Sequence, residues 1–296
     1  MSTFTAVDLS RLPAPEVVET LDFEVIFAQM LAHLRLLDPQ FDALAESDPT
    51  YKLLQVAAYR EMNVRQRAND SVRAVMLAYA KGADLDHLGA LLGVQRHQLD
   101  AGDPSQSIPP TYESDTDFRR RIQLAPEGFS VAGPEGAYIF HALNSHSDVL
   151  DASATSPSPG EVIVTVLSRQ GDGSAAPALI ETVAGALVDD AVRPLTDHVT
   201  VQGAEVVNYQ IVARVYTYAG PDSALVLAES MRRLEAYIAG SHRLGRDVPL
   251  SGIYSVLHSE GVQRVEIDLP AADVVVDRTQ ATWCTLIDVA HGGVDE

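Results

Sequence analysis

The stretch EVVNYQIVARVYT (residues 205–217) decides the fold. Val207, Tyr209, Ile211, Ala213 and Val215 alternate with Asn208, Gln210 and Arg214, the period-two pattern of a half-buried β-strand. Two readings of its edge stay open. It either offers hydrogen-bonding groups to another chain or lies inside its own sheet. Beyond it, Gly220-Pro221-Asp222 opens a helix with Leu227, Met231, Leu234 and Ile238 inward. A second helix spans residues 249–259 and stops at Gly261. Strand 263–269 points Val265, Ile267 and Leu269 to one face, and strand 283–289 does the same with Trp283, Thr285, Ile287 and Val289. A β-α-α-β-β order predicts an α+β sandwich.

Upstream, EVIVTVLS (161–168) is strongly β-forming and follows a short strand at 149–152 and a Ser-Pro turn at 156–160. A helix over 175–190 and a strand over 197–202 close this first segment. Residues 100–113, DAGDPSQSIPPTYE, read as a linker. Ser114-Asp115 caps a helix bearing Phe118 and Ile122, and Gly133-Pro134-Glu135 opens another with Tyr138, Ile139, Ala142 and Leu143 on one side.

The N-terminal third is helical after an extended, proline-bearing arm over 1–19. Phe23, Ile26, Phe27, Met30, Leu31, Leu34 and Leu37 mark one helix face. Ser47-Asp48-Pro49 starts a second helix that the pattern carries to Tyr79, with Gly82 as its stop, and a short third helix runs from Asp84 to Leu92. A helix of about 30 residues is roughly 45 Å long. Two short neighbours do not cover it, so its apolar face either packs on the rest of the chain or pairs with other chains. The expected architecture is α+β: a helical arm with one long helix over 1–100, a linker and first α/β domain over 101–202, and a second small α+β domain over 203–296.

Composition narrows the function. Of 296 residues, 41 are acidic and 21 basic, a net charge of −20 spread over all thirds of the chain. Such a surface repels phosphate, which argues against nucleic acid and against anionic membranes. No apolar run spans a bilayer, and the N-terminus lacks a secretory pattern. A single cysteine, Cys284, forms no internal disulfide and no Cys-rich metal site, in keeping with synthesis in a reducing cytosol.

No pattern of catalysis emerges. There is no HExxH, G-x-S-x-G, P-loop or GxGxxG. Adjacent strand residues Asp197 and His198 point to opposite faces, so they do not form an acid–base pair. Gly171-Asp172-Gly173-Ser174 reads as a turn, Cys284 as core, and Arg119-Arg120-Arg121 as a local ion-pair cluster or protein contact. An acidic enzyme with a site between the α/β domains is the alternative. It needs several of His141, His146, Asp148 and His198 to converge in a cleft. A DNA mimic is disfavoured because the charge is not gathered on one face.

Six stretches together resemble a known family: 9–26 (LSRLPAPEVVETLDFEVI), 83–96 (ADLDHLGALLGVQR), 113–143 (ESDTDFRRRIQLAPEGFSVAGPEGAYIFHAL), 156–173 (SPSPGEVIVTVLSRQGDG), 193–201 (RPLTDHVTV) and 244–267 (LGRDVPLSGIYSVLHSEGVQRVEI). They are similar, in this order, to the baseplate J-like proteins of contractile phage tails and R-type pyocins. The resemblance implies a structural wedge component without enzymatic activity or cofactor. It implies two copies joined to one smaller I-like wedge protein, ringed around the hub and in contact with sheath-proximal baseplate proteins. It implies assembly in the bacterial cytoplasm and residence in the tail particle, with no membrane insertion. The residues expected at the partner interface are Phe23, Phe27, Met30, Leu53, Val64 and Met76.

Overall fold

The fold was determined as a computed structural model, which describes residues 7, 9, 12, 13, 15–130, 133–189, 192–194, 196–220 and 222–294. The chain divides into two compact units. One is helical, Thr5–Arg96 with Ser114–Ile122, and the other carries the sheets, His97–Glu113 with Gln123–Glu296.

In the helical unit, α1 spans Phe23–Leu37, α2 Pro49–Ala74 and α3 Gly82–Leu91, and α4 (Asp115–Leu124) contributes its first residues. Asp22 caps α1 by accepting from the Glu24 and Val25 N–H groups. The long helix ends at Ala74, five residues before the expected Tyr79. Its last carbonyls are followed by turns whose free carbonyls at Leu77 and Ala80 are taken by the Arg119 guanidinium, at 2.7 and 2.6 Å. That partner lies some 40 positions away, so periodicity gives no sign of it. Gly82 opens α3 rather than closing α2. Phe118 and Ile122 are buried against Gly89, where any side chain would collide with the Phe118 ring.

The arm, expected to be extended over 1–19, is described only in part. Its described end does not run freely: Pro15–Val18 form a turn, and Glu19 lies on α2 of its own chain. Ala14 and most positions before it fall outside the described residues.

In the sheet unit, the supposed linker contains a small antiparallel hairpin, β1 (Gln98–Asp100) with β2 (Thr111–Tyr112). Its base is tied by Glu113, whose N–H donates to the His97 carbonyl while its buried carboxylate accepts from the His97 N–H at 2.8 Å. The prolines and glycine read there as linker signals shape the loop between two strands.

The first sheet has the order β3-β4-β5, from Val149–Thr155, Glu161–Ser168 and His198–Gly203. β3 is antiparallel and β5 parallel to β4. Helices α5 (Glu135–Ser145) and α6 (Pro177–Leu187) pack on it. Tyr138, Ile139, Phe140, Ala142 and Leu143 are all buried, so α5 is enclosed rather than one-sided.

The second sheet has the order β7-β6-β8, from Val262–Leu269, Glu205–Thr217 and Gln280–Val294. β6 is therefore an inner strand, parallel to β8 along its whole length and antiparallel to β7 over Val212–Thr217. The expected face Tyr209, Ile211, Ala213 and Val215 is buried against α7 (Ser223–Ser241) and α8 (Leu250–Leu257). Pro221 lies outside the described residues. In β8 a bulge skips Thr285 between the pairs Tyr209–Cys284 and Gln210–Leu286. The alternation shifts by one there, so Cys284, not Trp283 or Thr285, packs with Ile287 and Val289 on the core.

Buried side chains join the two sheets. Asp151 of β3 accepts from the Leu244 N–H at 3.0 Å as well as from its neighbour Ala152. Ser153 donates to the Arg278 carbonyl at 2.6 Å, and Arg278 pairs with Glu135 of α5. Gly173, with φ +96°, leaves no room for a Cβ between Leu167 and the His242 ring.

Candidate functional site

The helical unit presents the feature that calls for explanation. α1 and α2 pack through Ile26, Phe27 and Ala58, with Phe23, Met30, Leu31, Tyr51, Leu54 and Met62 around them. Phe23 stacks on Phe27 with ring centroids 6.1 Å apart, and Tyr51 meets Phe27 edge-on at 4.8 Å. Further along α2, Asn69 is 4% exposed. Its amide oxygen accepts from the Glu19 N–H at 3.0 Å, and its NH2 donates to the Glu19 carbonyl at 2.9 Å. Arg65 reaches both Glu61 and Glu19. One side of α2 is thus filled by α1 and the end of the arm.

Among the described residues nothing covers the opposite side. Leu53, Val56 and Val64 are 69%, 60% and 67% exposed. Beside α1 a groove of about 460 Å³ is lined by Ile26, Met30, His33, Leu34, Leu37 and Leu54, with Gln29 and Glu61 at its polar margin. The expected interface residues therefore divide. Phe27 is buried, Phe23 and Met30 are half-buried in the α1–α2 contact, and Leu53 and Val64 stand free on α2. Met76 lies half-buried in the turn beyond the helix, where its N–H donates to the Arg73 carbonyl. Asn69 was missed by the sequence reading. Its signal was present: a polar residue eleven positions after Ala58 and seven after Met62, on the face that packs inward.

The base of the unit is electrostatic. Arg96 pairs with Asp86 at 2.7 Å and Asp115 at 2.8 Å, and lies 4.6 Å over the Phe118 ring. Burial works to raise the Asp115 pKa, but the Gly82 N–H and Arg96 outweigh it and hold the carboxylate below its usual range. Arg121 is buried and donates to the Gln95 carbonyl at 2.6 Å. Arg119 and Arg121 of the arginine run therefore serve backbone carbonyls.

In the sheet unit a concavity of about 330 Å³ is lined by Gly133, Glu135, Tyr138, Ala154, Thr155, Ser156, Val162 and Arg278. Its charged groups pair with one another or with neighbours. Glu135 meets Arg278, and the Tyr138 hydroxyl donates to Asp197 at 2.7 Å. Burial, then that bond, pushes the Tyr138 pKa up, so the phenol keeps its proton. His141, His146, Asp148 and His198 do not line this space. His141 is half-buried against the Gly128 carbonyl, and burial holds its pKa down. His146 accepts from the Asp148 N–H, and His198 sits on β5 opposite Glu161. Among the described residues no group of three or more His, Cys, Asp or Glu is placed to hold a metal. Burial raises the Cys284 thiol pKa. Among the described residues no helix is long and apolar enough to cross a membrane.

Over 98% of its length, and 99% of the other chain, the sequence is 51% identical to "Baseplate protein J" of Escherichia phage P2. The chain belongs to the baseplate J-like family. Two family models match it, the baseplate J-like N-terminal domain over residues 46–103 and the baseplate J-like central domain over residues 130–203. The first covers α2 and α3, and the second covers α5 and the first sheet. A cryo-EM structure of the anti-feeding prophage baseplate, 6-fold symmetrised, aligns with 60% of this baseplate J-like protein and 43% of the other chain, at 12% identity and a TM-score of 0.38.

Proposed function

We propose that this baseplate J-like protein is a structural wedge component of a contractile tail, in a phage or a phage-derived bacteriocin. Two copies assemble with one smaller I-like wedge protein, and the wedges close into a ring around the hub. The ring passes the trigger to the sheath through sheath-proximal baseplate proteins. The role is mechanical, with no cofactor and no catalytic step. Assembly takes place in the bacterial cytoplasm, after which the chain resides in the particle. The observation that carries the reading is a 26-residue helix packed on one side only among the described residues, in a chain whose family is baseplate J-like. Burying Leu53, Val56 and Val64 on a partner removes apolar surface from water, which drives such association. Phe23, Phe27 and Met30 brace the helix from behind, and Met76 stands just past its C-terminal end. We also propose that residues 1–100 act as the docking part, and that 101–202 and 203–296 act as two ring-forming modules.

The test is to co-purify the tagged chain from its tail-gene cluster and determine stoichiometry by native mass spectrometry. A complex of two copies with one smaller subunit is expected. A compact monomer that binds no other tail protein would overturn the proposal.

A further inference from the structure

The bare face of α2 carries a charge pattern that specifies what covers it. In a chain with 41 acidic and 21 basic residues, α2 holds five basic residues and only two acidic ones. Both acids are already engaged on its flanks, Glu61 with Arg65 and Asp70 with Arg73. At 100° per residue, Leu53, Val56, Arg60, Val64, Arg67 and Ser71 fall within a sector about 80° wide. All six are exposed, and no acidic residue lies among them. Among the described residues, neither Arg60 nor Arg67 has an ion-pair partner. They are seven positions apart, two turns along one stripe, or about 10 Å.

Resting on the baseplate reading above, we infer that this stripe docks an amphipathic helix of a different subunit, one whose contact face sets Asp or Glu two turns apart among apolar side chains. Charge complementarity selects that occupant. Two copies of the stripe facing each other would oppose arginine to arginine, a like-charge juxtaposition that disfavours self-pairing. An uncharged apolar helix would strip water from two guanidinium groups without compensation. An acidic partner pairs both while Leu53, Val56 and Val64 supply the apolar contact. Pairing at such a rim raises association rate and fixes register, and it weakens with salt.

The test is made in whole particles produced from the full tail-gene set, with the chain as wild type and as Arg60→Glu/Arg67→Glu. Because both side chains are exposed and unpaired, the isolated variant should melt at the wild-type temperature. Arg60→Gln/Arg67→Gln serves in its place if it does not. Particle yield should fall by at least about tenfold on reversal. Selection for restored yield should then return Asp or Glu changes to Lys or Arg in another subunit, two helical turns apart. Wild-type yield from the reversed chain overturns the inference, as do revertants confined to this chain. A wild-type chain absent from purified particles overturns the baseplate reading and this inference together. A chain present, with reversal neutral, overturns the inference alone.

Discussion

Asn69 fixes the last residue of the arm by two reciprocal hydrogen bonds to the Glu19 backbone, a pairing that water satisfies only if the segment lifts away. Asn69→Ala should cost about 1–3 kcal/mol in urea unfolding, because it leaves a backbone donor and acceptor unmatched against the helix. It should also speed proteolysis around residue 19. Asp115 gives a pH-dependent counterpart. Its folded pKa lies below the ordinary 3.8, so its contribution is complete above that value and is lost as pH falls through the depressed one. Asp115→Asn should lower stability at pH 7 by about 1–2 kcal/mol and flatten the acid limb of the stability curve below about pH 4. An unchanged limb in a pH series of thermal melts would show that Arg96 is sufficiently paired by Asp86 alone. At this scale the sequence was partly legible. Ser114-Asp115 announced a helix start, yet nothing local showed that Asp115 also binds Arg96 and the Gly82 N–H.

α2 carries apolar side chains on two faces with opposite fates, and substitution separates them. Phe27→Ala empties the α1–α2 contact and should destabilise the helical unit by about 3 kcal/mol in chemical denaturation. Val64→Asp alters an exposed position and should change stability by no more than about 0.5 kcal/mol. If the proposed docking holds, the same substitution excludes the chain from particles, and wild-type incorporation of Val64→Asp counts against it. Periodicity located α1, α2 and β6 well because each repeats a residue type at a fixed step, and β-forming composition located β4. It placed the end of α2 five residues late, since that end is set by Arg119 from a distant helix. It assigned Trp283 and Thr285 to the core face because a bulge resets the count without leaving a glycine or proline to mark it. It read 100–113 as a linker because strands of two or three residues are too short to alternate.

Across the whole sheet unit, the two sheets share Asp151, Ser153, Glu135 and Arg278 rather than meeting through solvent. Both should therefore unfold in one transition. Asp151→Ala strands the Leu244 N–H and should split that transition or lower its midpoint, read by hydrogen exchange on β4 and β6. The fold class was legible at this scale because strand and helix order alone restrict the layers. The joint between the sheets was not, because its residues are far apart in sequence and chemically ordinary. The candidate site was half legible for the same reason: excess apolar length on α2 is a sequence property, but which side stays bare depends on where α1 and the arm settle. The second sheet has one further consequence. β6 and β8 run parallel over thirteen residue pairs, from Glu205–Gln280 to Thr217–Val294. Tension applied between the start of β6 and the end of β8 would load those hydrogen bonds side by side, in shear, so none yields before its neighbours. A strap built that way resists stretching far better than a hairpin peeled open from one end, which is what the proposed mechanical role would ask of it.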